Sequence, residues 1–488
     1  MKIKNKELKF LEYIESNDFN FPFEKDDIWN DSELKKSKIK KKNKLKEKES
    51  KQETKKLTKI QRDDLKRIKK CNEYLLVENL ENREIYETID HYNTNGKKTI
   101  VYFVDVFYPV IDGVVTVVDN YANLMKEKFN VVICAPKHKN KPYKTDKYLV
   151  LNTDSLFIKK QGYDLGFPQI DINFQKFISL LKIDIVHVHS PFTMGVFGVA
   201  LAKKRGVPSF ATFHSQLKQN FENAVKSDFI ATLMTNVVMT VYQKAETVVT
   251  MNKFSIGVLK SYGLKKDVEI VPNATNLKPV KISDEKENLI LEKYKINKNI
   301  FNIIFIGRFV EVKNVYFILR VLKELSKTTK NFNFTFIGYG PEEKKMQSFI
   351  EENNLSDCVK ITGKVDKVEE KSVLIKNSDL MFFPSVYDTD GIVRIECACF
   401  GVPTLCIENT GAASCIENNV NGFVERNNEK EFVKKLKYLI ENPDIVKKVG
   451  EDAKKTLYVT WKDVGEKLEE LYNKKCKNCK KDQWNSEN

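Results

Sequence analysis

Two near-continuous apolar runs, Thr99 to Val106 and Phe301 to Ile306, constrain the fold of this 488-residue chain most. Neither alternates polar with apolar residues, as a strand with one wet face would. Each fits a strand buried on both faces, inside a parallel sheet covered by helices. Each also opens a series of the same unit: an apolar strand, a loop with glycine or histidine, then a helix. After the first run, strands are expected at Val131 to Ala135, Tyr148 to Leu151, Asp184 to His189, Ser209 to Phe213, Thr247 to Thr250 and Glu269 to Val271. After the second they are expected at Phe334 to Gly338 and Leu380 to Phe383. Strands alternating with helices in this way predict an α/β chain with two parallel-sheet domains.

The expected organisation is a basic extension over 1–97, a first Rossmann-like domain over 98–272 and a linker over 273–298. A second Rossmann-like domain follows over 299–455, then a last helix over 456–474 and a tail over 475–488. Charge separates the extension from the rest. Between Lys35 and Lys70 stand sixteen Lys and two Arg against five acids, an excess of thirteen in a chain whose net charge is +16. From Leu57 to Leu75 apolar residues recur at helical spacing between these cations, the pattern of a basic amphipathic helix suited to an anionic membrane or a partner. A solvated linker helix is the other reading. Nucleic-acid binding is not expected, because the run lacks interleaved aromatics and a recognisable binding fold. No stretch approaches eighteen uninterrupted apolar residues, and the start is Lys/Glu-rich where a signal peptide would be apolar, so a cytoplasmic location is expected. Cys134, Cys397, Cys399 and Cys406 fall in apolar segments and read as buried thiols. The single Cys476/Cys479 pair has no second pair to complete a zinc site.

The most informative stretch runs from Pro384 to Pro403. A strand ends at Phe383, a loop carries Asp388 and Asp390, and a helix begins near Gly391. The unpaired N–H groups and positive dipole end at Gly391, Ile392 and Val393 suit an anion. Asp388 precedes that helix and Glu396 lies inside it, so both carboxylates could face a polyhydroxy ligand whose phosphates rest on the helix start. Arg308 and Lys313 flank another loop that follows a strand, a natural clamp for a diphosphate. Gly338 and Gly340 shape a third strand-to-helix turn, expected beside a nucleotide base. Gly113 lies in the loop after the first strand, where open α/β sheets bind ligands. Three of the five histidines lie at or just past strand ends: His187, expected in the core, and His189 and His214, expected on the ligand side.

Together these residues carry a resemblance. The pattern Asp388-x7-Glu396 with Gly391 between them, followed by the Cys/Ala turn and Gly401-Val402-Pro403, resembles the retaining nucleotide-sugar glycosyltransferases of family four, which have the GT-B fold. The resemblance covers 98 to about 474 and implies two Rossmann-like domains facing across a cleft, with a last helix, marked by Trp461, crossing back to the first. It implies that Asp388 holds hydroxyls of the transferred sugar and Glu396 the ribose. It implies Arg308 and Lys313 on the donor diphosphate, Gly113 facing the diphosphate and acceptor, and His214 near the reacting carbon; for His189 a supporting or acceptor-side role is expected. Two departures stand out: Asp388 where the family usually has Glu, and Asn314 where Gly usually follows the Lys. Donor phosphate deprotonating the acceptor would explain why no general base is evident. Asp388-Thr389-Asp390 also spells the metal-binding Asp-x-Asp of another glycosyltransferase fold, but beside a basic clamp at a helix start no metal cofactor is expected, Mg being the alternative.

The wider pattern, Phe107-Tyr108-Pro109 with Asp112-Gly113-Val114, His189-Ser190-Pro191-Phe192, Phe213-His214-Ser215 and Tyr387-Asp388-Thr389, is similar to bacterial diacylglycerol glucosyltransferases. That similarity implies a hexosyltransferase using UDP-glucose, with a lipid acceptor at the inner face of the cell membrane, where the enzyme is peripheral. A transferase of cell-surface polysaccharide or phosphatidylinositol glycolipid synthesis is the alternative enzyme. A sugar-nucleotide-binding scaffold without turnover is the alternative of another class.

Overall fold

The computed structural model describes residues 66–70, 82–110, 112–158, 163–214, 228–279 and 281–485. Most of the basic extension, including 35–65, lies outside the described residues. Those that are described form two compact units, one of 66–212, 228–248 and 469–485, the other of 213–214 and 249–468.

The strands are β1 (Thr99–Phe103), β2 (Asn130–Pro136), β3 (Leu149–Thr153), β4 (Ser155–Ile158), β5 (Tyr163–Gly166), β6 (Ile185–Val188), β7 (Ser209–Phe213), β8 (Thr247–Thr250), β9 (Val268–Ile270), β10 (Phe301–Ile306), β11 (Phe332–Ile337), β12 (Val359–Ile361), β13 (Leu380–Phe383), β14 (Thr404–Ile407) and β15 (Phe423–Glu425). One sheet has the order β3-β2-β1-β6-β7-β8-β9, the other β12-β11-β10-β13-β14-β15. Both are built on parallel pairs, and every residue of β1 and of β10 is buried, as apolar runs without alternation require. The antiparallel hairpin β4–β5 and the short strands β12, β14 and β15 add to the sequence reading.

The doubly wound order fixes where ligands bind. Strand order reverses between β1 and β6 in one sheet and between β10 and β13 in the other, and the crevice at the carboxyl ends of such a pair is where open α/β sheets take ligands. In the first unit that place is held together by Asp105, just past β1. Its buried carboxylate accepts from the backbone N–H groups of Phe192 and Met194 and from the Thr193 hydroxyl, all just past β6, while its own N–H donates to Ser190 Oγ. Burial raises the Asp105 carboxyl to about 6 against the lowering effect of these donors.

Two features correct the expected boundaries. The helix Arg83–Thr94, assigned from sequence to the basic extension, is part of the first unit: Tyr86 and Ile89 are buried, Tyr86 packs edge-on against Phe177, and Asn93 exchanges hydrogen bonds with Leu180 O and Lys182 N–H. The last helix runs Trp461–Asn485, past the expected end at 474, and its residues from 469 on belong to the first unit. Tyr472 is the anchor there. Its hydroxyl lies 2.6 Å from His187 Nδ1 and donates to Tyr102, while His187 Nε2 lies 2.6 Å from the Thr212 hydroxyl. His187 is thus in the core, as the sequence suggested.

Replacing a fully buried, hydrogen-bonded hydroxyl leaves its partner's polar atom unmatched. Tyr472→Phe should lower stability by about 1–3 kcal/mol. Chemical denaturation followed by circular dichroism measures this, and an unchanged transition would show that the helix is anchored by apolar contact alone.

Candidate active site

The second unit builds its site from strand-end loops. β10 leads into Gly307-Arg308-Phe309, followed by a single 3-10 turn, Glu311–Lys313. Asn314 then adopts a left-handed conformation, φ +59°, and begins the helix Val315–Ser326. This explains the departure from glycine at that position: among residues with a side chain, Asn tolerates left-handed backbone best. Its side chain also donates to Pro384 O, tying the β10 loop to the β13 loop.

Across the strand-order reversal, Lys313 Nζ sits 2.5 and 2.6 Å from the two carboxylate oxygens of Asp388. The ammonium also lies 5.4 Å above the Phe383 ring, which stacks on Phe305. Gly391 is required here twice over: its φ is +79°, and a Cβ would come within 2.9 Å of that same Phe383 ring. It precedes the helix Ile392–Cys399, whose first turn has no side-chain cap. Arg308 is exposed and makes no side-chain hydrogen bond or ion pair with the described residues. Lys313, Asp388 and the helix start that follows Gly391 thus come together, with a free guanidinium on the same loop as Lys313.

Gly338 and Gly340 pack directly on the Arg308 loop. A Cβ on Gly338 would lie 1.9 Å from Gly307 O, and one on Gly340 2.3 Å from Phe309 O. Backbone bonds from Gly307 N to Ile337 O and from Phe309 N to Tyr339 O complete the seam. These glycines therefore set the height of the Arg308 loop, a role the sequence reading did not foresee.

Asp390 does not pair with Asp388. Its carboxylate is buried, lying 2.8 Å from the Arg394 guanidinium, 2.9 Å from Asn273 Nδ2 and 3.4 Å from Asn252 Nδ2. Asn252 Nδ2 also donates to Thr389 O, and the Thr389 hydroxyl donates to His214 O. The Asp-x-Asp spacing thus sends its two carboxylates to different cationic partners rather than to one point. His214 belongs to this unit, and burial pulls its imidazole down to about 4, so it is neutral from mildly acidic pH upward. Glu396 has its Oε2 2.5 Å from Lys371 Nζ of the helix Val368–Lys376, a partner that sequence reasoning missed.

In the first unit, Gly113 is exposed at the start of the helix Gly113–Met125, capped by Asp112, and nothing stands within 4 Å of where a Cβ would be. No packing demand explains glycine there. His189 takes the supporting one of its two expected places: its imidazole is 2% exposed, stacked on His187 at 4.1 Å and edged by Tyr102 and Tyr121. It supports the sheet core and does not present itself to an acceptor. A shallow groove of about 680 Å³ in the second unit, lined by Glu311, Arg320, Tyr387 and Lys430 among others, contains none of the predicted site residues.

Doubly wound parallel sheets with a cation–carboxylate pair at the reversal point, beside an open helix start, fit a GT-B glycosyltransferase. The chain belongs to this class by sequence as well: residues 111–278 match the Glycosyltransferase Family 4 domain and residues 286–456 the Glycosyl transferases group 1 domain. It is 25% identical over 363 residues to the alpha-monoglucosyldiacylglycerol synthase of Acholeplasma laidlawii, covering 72% of this chain and 90% of that protein. An uncharacterised glycosyltransferase of Methanocaldococcus jannaschii is 23% identical over 351 residues, with the same coverage of each. Among solved structures, Anabaena HepE in complex with UDP aligns with a TM-score of 0.62 at 14% identity, covering 77% of this chain and 100% of that one. The sucrose-phosphate synthase of Thermosynechococcus elongatus aligns equally well at 15% identity, covering 78% and 99%.

Gly338→Ala tests the seam beneath Arg308. Because the new methyl meets backbone and not a flexible side chain, the Arg308 loop must shift, and catalytic geometry is sensitive to shifts of an ångström, at roughly a hundredfold in rate. Steady-state donor turnover should fall by about that factor, whereas wild-type turnover would show that the loop's height is not set here.

Proposed function

We propose that this glycosyltransferase moves glucose from UDP-glucose, with retention of configuration, to a lipid acceptor such as diacylglycerol at the cytoplasmic face of the membrane. The observation that carries the donor half is the Lys313–Asp388 pair at the β10/β13 reversal, with exposed Arg308 and the uncapped start of the helix Ile392–Cys399. A diphosphate arriving at the helix start competes with Asp388 for Lys313. As the ammonium turns to phosphate, the carboxylate is released to accept hydrogen bonds from sugar hydroxyls, so that phosphate and sugar recognition are linked.

In the proposed reaction the bond between the anomeric carbon and the β-phosphate oxygen breaks, and charge accumulates on the departing diphosphate. Arg308, Lys313 and the helix N–H groups are placed to stabilise that charge as it develops. The acceptor oxygen bonds to the same face of the sugar and passes its proton to the leaving phosphate oxygen. His214, uncharged at neutral pH, serves as a neutral contact for the sugar ring and not as a cation. Glu396 accepts from the ribose hydroxyls. With Asp388 bound to Lys313 and Asp390 buried against Arg394, the carboxylates here suit a metal-independent reaction, and turnover should persist in EDTA.

The acceptor half rests on relatives. Proteins named alpha-monoglucosyldiacylglycerol synthase, from Acholeplasma laidlawii and from Streptococcus pneumoniae, match 72% and 76% of the chain. Among the described residues no helix is long and apolar enough to cross a membrane. The cations between Lys35 and Lys70 supply the proposed attraction to an anionic surface, each contributing about 1 kcal/mol close to it.

Purified protein given UDP-glucose and diacylglycerol vesicles should release UDP and form an α-linked glucolipid. Glu396→Gln should weaken donor binding by about 1.5–3 kcal/mol, as loss of a charge-assisted hydrogen bond does, and Asp388→Asn should impair transfer and sugar choice. Normal donor use by both variants would exclude this site. Deletion of residues 1–79, which spares the packed helix Arg83–Thr94, should abolish most salt-sensitive co-sedimentation with anionic vesicles while donor hydrolysis continues. Undiminished sedimentation would move the membrane contact to the first unit, where Lys203 and Lys204 close the helix Thr193–Arg205.

A further inference from the structure

Among the described residues Glu396 has one close charged neighbour, and it comes from an element that no site motif includes. Lys371 projects from the middle of the helix Val368–Lys376, which precedes β13, and its Nζ lies 2.5 Å from Glu396 Oε2. The side chains are 23% and 14% exposed, so this pair is set into the protein surface and is more weakly screened than the helix-surface pairs elsewhere in the chain. Oε2 itself is buried and has no hydrogen-bond partner among the described residues, so the ammonium is its one compensating group. No hydrogen bond engages Oε1 among the described residues, which leaves it as the acceptor for a ligand.

Lysine is an unexpected choice if the helix serves packing alone. Its neighbours Ser372, Val373, Leu374 and Ile375 are buried, and Glu370 is already engaged by Lys293 and Tyr294 of the helix-and-turn segment before β10. Lys371 instead turns its charge toward the site helix. A carboxylate on a long side chain has rotamers to lose on meeting a ligand, and one anchored through a single oxygen has already lost them.

We propose that Lys371 is a positioning residue for donor recognition: it anchors Glu396 through Oε2 and so presents Oε1 to the nucleotide. This deepens the reading of Glu396 given above and rests on it. Lys371 touches no reacting atom, so its loss should act on donor affinity more than on the chemical step.

The test is a double-mutant cycle on nucleotide binding, with UDP as the probe in isothermal titration calorimetry and UDP-glucose in steady-state kinetics. Lys371→Met should weaken UDP binding roughly tenfold, as expected when the support of a ligand-binding group is removed. The larger part of its kinetic loss should fall on KM and not on kcat. Lys371→Arg, which keeps the cation, should recover most of the affinity and remains informative if the Met variant does not fold. In a Glu396→Gln background, Lys371→Met should weaken UDP no further. Wild-type UDP affinity in Lys371→Met with impaired affinity in Glu396→Gln would overturn the positioning role while leaving the site assignment intact. Full additivity of the two losses would overturn it as well, and wild-type affinity in Glu396→Gln would remove both the assignment and the inference.

Discussion

A buried charge pair holds the site of this enzyme in place. Asp390 and Arg394, four residues apart across the start of the site helix, have side chains 5% and 3% exposed. Burying two such groups is costly, and removing one partner of a buried pair costs about 3–5 kcal/mol because the other charge is left uncompensated. The arrangement is supported from elsewhere in the unit: Asn273, just past β9, and Asn252, just past β8, both donate to the Asp390 carboxylate. Through Thr389 the same loop reaches Asn252 and the backbone of His214. The 388–391 loop therefore has little freedom, although its middle residues are not in regular structure. Asp388 stands at one end of that fixed loop and the uncapped helix at the other.

This rigidity gives the neighbouring ion pair its meaning. Lys313 and Asp388 are both about one-fifth exposed and within reach of solvent ligands. One comes from a loop pinned by the glycines of the β11 turn, the other from a loop pinned by Asp390. Two well-placed, opposite charges on fixed supports are pre-organised for a ligand that carries both phosphate and hydroxyl groups, since neither loop has to be ordered on binding. The same logic extends to Glu396, whose Oε2 is held by Lys371. The site of the second unit is thus a set of paired side chains around a strand-order reversal, with Arg308 exposed beside them.

Much of this was legible in the sequence because buried parallel strands announce themselves. β7, β8, β10 and β13 match their apolar runs residue for residue, and the strand-end motifs placed Arg308, Lys313, Asp388, Gly391 and Glu396 in one unit. What stayed hidden depends on contacts remote in sequence. Asp390 read only as a second loop carboxylate in an Asp-x-Asp spacing, because its partners Asn273 and Asn252 lie 117 and 138 residues away. Lys371 was invisible in a helix opening with charged residues, where one more lysine reads as solvated. The helix Arg83–Thr94 merged with the basic extension, since its few apolar residues carry little signal until Tyr86 and Ile89 are seen under the first sheet's helices. His189 shared a strand end with the ligand-facing loops, and only its stacking on His187 shows that it turns inward.

The proposed clamp on the donor diphosphate is Arg308 with Lys313. Release of UDP from UDP-glucose, measured for the wild-type protein and for Arg308→Ala, Lys313→Ala and the double variant, tests it most directly. Each single change should slow turnover on the order of a hundredfold or more, as loss of charge stabilisation at a leaving group does. Wild-type turnover by the double variant would contradict the account.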